Sequence, residues 1–131
     1  MKGSCACGGI EYELSDNLFA ANHCHCSICR KIHGAAFATF AHAKAENFRW
    51  LRGKDLITSY KSSEKNLRNF CRVCGSNVPS VFPKTNHVRI PMGTLDDDAG
   101  IKPSVHIFVA DKVSWFEISD RLPQYTAMPD S

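Results

Sequence analysis

Seven cysteines stand in three tight clusters in a chain of 131 residues: Cys5-Ala6-Cys7, Cys24-His25-Cys26-Ser27-Ile28-Cys29 and Cys71-Arg72-Val73-Cys74. Two thiols one or two residues apart can point at a single ion, while nearby backbone N–H groups help neutralise them. Clustered thiols in a reducing compartment bind metal more often than they form disulfides, and an odd number cannot pair off completely. Gly8 directly follows Cys7 and Gly75 directly follows Cys74. Both suit the left-handed backbone that a metal-binding turn often needs. Metal is therefore expected before any regular element is assigned.

The length fits a single domain over residues 1–131, and a hydrophobic content of 44% argues for a true core over disorder. No apolar stretch approaches the roughly 18 residues of a membrane span. The start, from Met1 to Gly9, carries no apolar signal region, so a cytoplasmic protein without a membrane partner is expected. The formal charge is +3. Seven thiolates holding two divalent ions would cancel it, so basicity does not point to a nucleic-acid partner.

Helical periodicity is scarce and short alternating runs are many. Ile10, Tyr12 and Leu14 alternate with acids; Phe48 and Trp50 alternate with polar residues; Val88, Ile90 and Met92 do the same. Further strands are expected at Ala36–Phe40, Leu56–Tyr60, Leu67–Phe70, Val78–Phe82, Val105–Val109 and Val113–Ile118. Pro79 and Pro91 each remove a ladder donor, which predicts edge or bulged strands there. Helical turns are expected only at Ser27–His33, ended by Gly34, and at Ala43–Asn47; Thr94–Gly100 reads as a loop. With no repeat, linker or low-complexity tract, the chain reads as one all-β domain.

Structural zinc is closed by four ligands, and catalytic zinc keeps a position open beside three. Seven sulfurs divide naturally as four and three: Cys5, Cys7, Cys71 and Cys74 in one site, and Cys24, Cys26 and Cys29 in the other. Spacing also permits Cys71 and Cys74 to join two members of the triplet, leaving Cys5 and Cys7 as a redox pair. Alternatively, His23, His25 or His33 could close the triplet as a second structural site, or a borrowed cysteine could complete an iron–sulfur cluster. Three thiolates leave Zn²⁺ with a net charge of −1, a poor generator of hydroxide but a good partner for an incoming thiol, which can ionise there. Such a site suits a small thiol meeting an aldehyde, or the reverse reaction. Arg30 and Lys31 follow Cys29, while Arg68 and Arg72 flank Phe70-Cys71; Arg30 is the expected carboxylate anchor. His25, between two ligands, points away from their metal; His106 reads as a strand histidine, and Asp96, Asp97 and Asp98 as a solvated turn.

These residues resemble the glutathione-dependent formaldehyde-activating enzyme (GFA) family, which includes centromere protein V relatives. The likeness runs through Gly3–Gly8, Cys24–Lys31, Gly34–Phe37, Ser62–Glu64 and Arg68–Ser76. It continues at Pro103, His106–Phe108, Trp115 and Leu122–Tyr125, nearly the whole chain. The resemblance implies a β-tent zinc fold of stacked antiparallel sheets with short helical turns. It also implies two zinc ions per chain, with Cys5, Cys7, Cys71 and Cys74 structural and Cys24, Cys26 and Cys29 catalytic. The activity implied is that of a carbon–sulfur lyase joining formaldehyde and glutathione to S-hydroxymethylglutathione, or releasing them. The alternative is a zinc-stabilised binding module without turnover.

A structural zinc contributes on the order of 10 kcal/mol of gross folding free energy. Cys71→Ser should therefore lower solubility and melting temperature, whereas Cys29→Ser should mainly remove the second metal; calorimetry with metal counting checks both, and equal damage overturns the four-plus-three division.

Overall fold

The computed structural model describes residues 1–82 and 85–129. Its elements run β1 (Lys2–Ser4), β2 (Glu11–Leu14), β3 (Phe19–Cys24), α1 (Ser27–His33), β4 (Ala38–Lys44), β5 (Phe48–Arg52), β6 (Ile57–Ser63), β7 (Asn66–Cys71), β8 (Asn77–Val78), β9 (Ser80–Val81), β10 (His87–Pro91) and β11 (Val105–Ile107). Strands dominate, with single 3₁₀ turns between several of them. They form three sheets: β1-β2-β5, the five-stranded β11-β3-β4-β10-β9, and β6-β7-β8. The all-β expectation holds, although β11 pairs with β3 in parallel, so the central sheet is mixed. No described helix is long and apolar enough to cross a membrane.

The pleat of the central sheet separates two environments. Successive strand residues face opposite sides, so Ala21, Ala41, Ala43, Val88 and Ile90 turn to one face and pack with Tyr12 and Leu14 of the first sheet. Small alanines on β3 and β4 leave room for the Tyr12 ring, which is fully buried and whose hydroxyl lies 2.7 Å from Thr94 Oγ1. Phe48 and Trp50 close on that ring with centroids 5.6 and 6.3 Å away. The opposite face carries Asn22 and Cys24, Phe40 and His42, Arg89 and Ile107, which form the floor of a cavity.

Several expectations change in detail. Val113–Ile118 is not a strand: the chain turns at Ser114 and Trp115, and Lys112 Nζ donates to the Val113 and Phe116 carbonyls that a ladder would otherwise use. The helical turn expected at Ala43–Asn47 shrinks to Ala45–Asn47, because β10 pairs with β4 as far as Lys44. β10 is interior rather than an edge strand. Its proline is tolerated because β9 pairs only with Val88 and Arg89, so Pro91 lies past the end of that ladder. Pro79 falls between β8 and β9, where the chain leaves the third sheet for the edge of the second. β1 and β3 escaped the sequence reading.

Gly3 sits opposite Tyr12 in the β1–β2 ladder, and a methyl group placed on it would overlap the tyrosine ring. Gly3→Ala should therefore destabilise the fold by about 1–3 kcal/mol, the usual range for overpacking; urea unfolding checks this, and an unchanged midpoint would show that Tyr12 can move aside.

Candidate metal centres and cavity

The first sulfur cluster is built from two tight turns. The turn after β1 is closed by Gly8 N–H donating to Cys5 O (2.9 Å) and Cys5 N–H donating to Ile10 O (3.1 Å). The turn after β7 repeats this with Gly75 N–H to Cys71 O (2.8 Å) and Cys71 N–H to Ser76 O (2.9 Å). Gly8 and Gly75 both adopt φ of 76°, as the sequence predicts, a conformation that costs a residue with Cβ about 1–2 kcal/mol. The turns face each other, so Cys5, Cys7, Cys71 and Cys74 place all four sulfurs within 4.8 Å of one another. A tetrahedron with Zn–S of ~2.3 Å sets its sulfurs about 3.8 Å apart. The Cys5–Cys7 and Cys7–Cys71 separations are 3.6 and 3.9 Å, so the donor set fits that ion. The Ile10 N–H also donates to Cys5 Sγ at 3.3 Å.

The second cluster forms where β3 runs into α1. Cys24 ends the strand, Cys26 caps the helix by accepting the Cys29 N–H at 3.3 Å, and Cys29 lies buried in the first turn. Gly34, left-handed, ends the helix with its N–H on Arg30 O, as expected. These three sulfurs again lie within 4.8 Å of one another. Among the described residues neither a histidine nor a carboxylate joins them, and the doublets are committed to the other cluster. All seven cysteines are free thiols. The thiol of Cys24, hydrogen-bonded to Cys29 Sγ, holds Cys29 down at about 5 with Arg68 assisting, while the Cys29 sulfur and burial push Cys24 up. Three sulfurs crowded this closely are a donor set that a cation would complete.

The triplet opens on a cavity of about 510 Å³, a size usual for small-molecule sites. Its floor is the outer face of the central sheet; Ser62 and Arg68 of the third sheet stand opposite, and Phe108 and Met128 of the C-terminal segment complete the wall. Arg68 is only 8% exposed, with Nη1 3.4 Å from Cys29 Sγ and Nε donating to Ser62 Oγ at 3.1 Å. Arg89 is 9% exposed, and its guanidinium carbon lies 4.7 and 5.0 Å from the ring centroids of Phe40 and Phe82. Burial and the neighbouring Arg68 lower Arg89 to about 10, against the opposing pull of the three cysteines.

Arg30, expected to anchor a carboxylate, does not line this cavity. It lies one residue beyond Cys29; its Nε is buried without a partner among the described residues, and its charge acts on His25. His25 does turn away from the sulfurs. Its Nε2 lies 2.8 Å from His106 Nδ1, and His106 Nε2 lies 2.9 Å from Asp120 Oδ2. This chain ties the cysteine loop to the C-terminal segment, and burial, reinforced by His106, lowers His25 to about 4. His23 pairs with Thr39 Oγ1 at 2.8 Å, and the His33 ring packs edge-on to Phe40. Asp96 and Asp97 accept from Ser4 Oγ and the Lys2 N–H, so the acidic turn fastens β1. Arg89 went unnoticed because a lone arginine on the polar phase of an alternating strand reads as solvated. Asp120 gave no signal in the sequence, since its partner is 14 residues distant.

A four-sulfur turn pair and a three-sulfur group, each of which could hold a metal ion, define with this sheet arrangement a strand-dominated scaffold with two candidate metal centres. The profile of the glutathione-dependent formaldehyde-activating enzyme family matches residues 1–111, and the chain belongs to that family. A Halomonas elongata protein provisionally named glutathione-dependent formaldehyde-activating enzyme is 28% identical, across 92% of this chain and 82% of its own. The crystal structure of a Rhodobacter sphaeroides protein, a structural-genomics target, superposes with a TM-score of 0.62 at 29% identity, covering 79% of this chain and 92% of that one.

His42 lies on the cavity floor, lowered to about 4 by burial first and Arg89 second. Its folded value is below the ordinary 6.5, so the unfolded chain binds more protons between pH 6.5 and 4 and stability falls as pH falls through that window. Urea midpoints should drop from pH 6.5 to 5, and the drop should be smaller in His42→Gln; an identical drop removes His42 as a contributor.

Proposed function

We propose that the chain is a zinc-dependent carbon–sulfur lyase acting on a thiol adduct, with S-hydroxymethylglutathione, formed from glutathione and formaldehyde, as the reference substrate. In this reading residues 1–131 are one cytoplasmic zinc-binding domain holding two zinc ions. Cys5, Cys7, Cys71 and Cys74 keep the structural ion, and Cys24, Cys26 and Cys29 keep the reactive one. The observation that carries the reading is the open sulfur triplet at the edge of the cavity, with no fourth protein ligand among the described residues. Family membership supplies the glutathione and formaldehyde chemistry.

Zinc held by Cys24, Cys26 and Cys29 would supply an electrophilic site that favours the thiolate form of an incoming sulfur. In the cleavage direction the carbon–sulfur bond breaks and sulfur keeps its electron pair, while the hydroxyl gives its proton to water, its O–H electrons form the carbonyl, and formaldehyde leaves; addition is the reverse. The chain's own contribution is charge balance and enclosure. Arg68, donating to Cys29 Sγ, offsets the surplus negative charge of three thiolates, which makes an additional anionic sulfur less costly. Phe40 and Ile107 limit water around the reacting bond.

The purified protein should carry two zinc ions, and should accelerate exchange between ¹³C-formaldehyde and S-hydroxymethylglutathione over the spontaneous rate, measured by NMR. Cys29→Ser should abolish the acceleration, and Arg68→Met should reduce it by about ten-fold or more, the usual effect of losing a partner of a metal ligand. Exchange at the spontaneous rate in the fully loaded protein would leave the binding-module reading.

A further inference from the structure

The cavity contains two guanidinium groups whose situations differ. Arg68 is committed to Cys29 Sγ and Ser62 Oγ. Arg89 comes from the opposite wall, on β10, where the pleat sends Val88 and Ile90 into the core and Arg89 onto the cavity floor. Among the described residues its side chain has no hydrogen bond and no ion pair. Phe40 and Phe82 hold the guanidinium plane by cation–π contact. Those contacts fix its position but leave its five N–H donors without acceptors among the described residues.

An arginine that is nine-tenths buried, with no hydrogen-bond acceptor among the described residues, bears a desolvation cost that the two ring contacts and the nearby cysteines offset only in part. Among the described residues the only acidic one bordering the cavity is Asp111, and it is exposed. A planar fork of donors aimed into an enclosed space is matched by a planar fork of acceptors. The cavity thus presents Cys24 at the end of β3, with Cys26 and Cys29 just beyond it, and the Arg89 guanidinium two strands away on β10, on the same face of the sheet as Cys24.

We propose that Arg89 is the carboxylate receptor of this cavity and selects thiols that carry a carboxylate. The proposal rests on the reading that a thiol occupies the open position beside Cys24, Cys26 and Cys29. The role that the sequence suggested for Arg30 passes to a residue 59 positions later. Phe40 and Phe82 act as positioning residues, since they hold the guanidinium flat and restrict its rotamers.

Two thiols of one shape and different charge test this on the full chain. In cobalt-substituted protein, 3-mercaptopropionate should bind about ten-fold or more tightly than 3-mercaptopropionamide, read from the thiolate-to-cobalt absorption. Arg89→Met should erase that preference while leaving the amide's affinity unchanged, and Arg89→Lys should retain part of it. Equal affinities in the native protein, or a preference that survives Arg89→Met, would overturn the proposal. A second measurement needs neither the open position nor a variant: 3-(methylthio)propionate, but not its amide, should shift the Arg89 Nε–H resonance of the zinc-loaded protein. Should neither thiol change the cobalt spectrum, the thiol-binding reading falls, and the resonance alone decides Arg89: a shift supports the receptor and its absence refutes it.

Discussion

Convergence of sulfur from distant parts of the chain is the constraint on which this architecture depends. β1 has three residues and β8 has two, too short to hold by ladder hydrogen bonds alone. Cys5 and Cys71, both buried, join Ile10 and Val78 in a core cluster that links the first and third sheets. Around them Leu56, Ile57 and Trp50 pack from β5, β6 and the turn between them. A bound ion would turn this proximity into a cross-link closing a loop of more than sixty residues, and short strands on either side would then suffice.

Both sulfur groups use the same economy of means at different levels of closure. The doublets meet face to face and complete a tetrahedron among themselves. The triplet comes from one continuous stretch, a strand end and a helix start, and a run of six residues cannot surround an ion from every side. Its remaining direction is therefore left to whatever the rest of the fold places there. The fold places a cavity there, bounded by side chains of the central and third sheets and by the C-terminal segment.

Much of the metal chemistry was legible because cysteine spacing is local. Cys-x-x-Cys, the glycine that follows it and the helix start at Ser27 are all set within a few residues, and each lies where the sequence puts it. β2, β5, β7 and β10 were legible because their two faces differ in polarity. β3 was not: Phe19–Cys24 alternates poorly, Ala20 adopts φ of 52°, and the pairing with β4 slips between Phe19 and Asn22. Val113–Ile118 misled for the opposite reason, since its β-forming composition belongs to a segment wrapped around Lys112 and the aromatic cluster of Phe37 and Phe116. That Arg89 lines the cavity and Arg30 does not lay beyond the sequence altogether. Adjacency to a cysteine says nothing about which wall a side chain reaches, whereas sheet order does.

The five-stranded sheet works as a partition wall finished differently on each side. On β4 the odd positions Ala41 and Ala43 are small and nest against tyrosine, while the even positions Phe40 and His42 look out on the chamber. The two inscriptions are written in alternate letters on one strand, so a lineage can rewrite the side that meets a guest and leave the side that holds the house together untouched. Substitutions facing the cavity and substitutions facing the core therefore fall on separate, interleaved positions, one residue out of step.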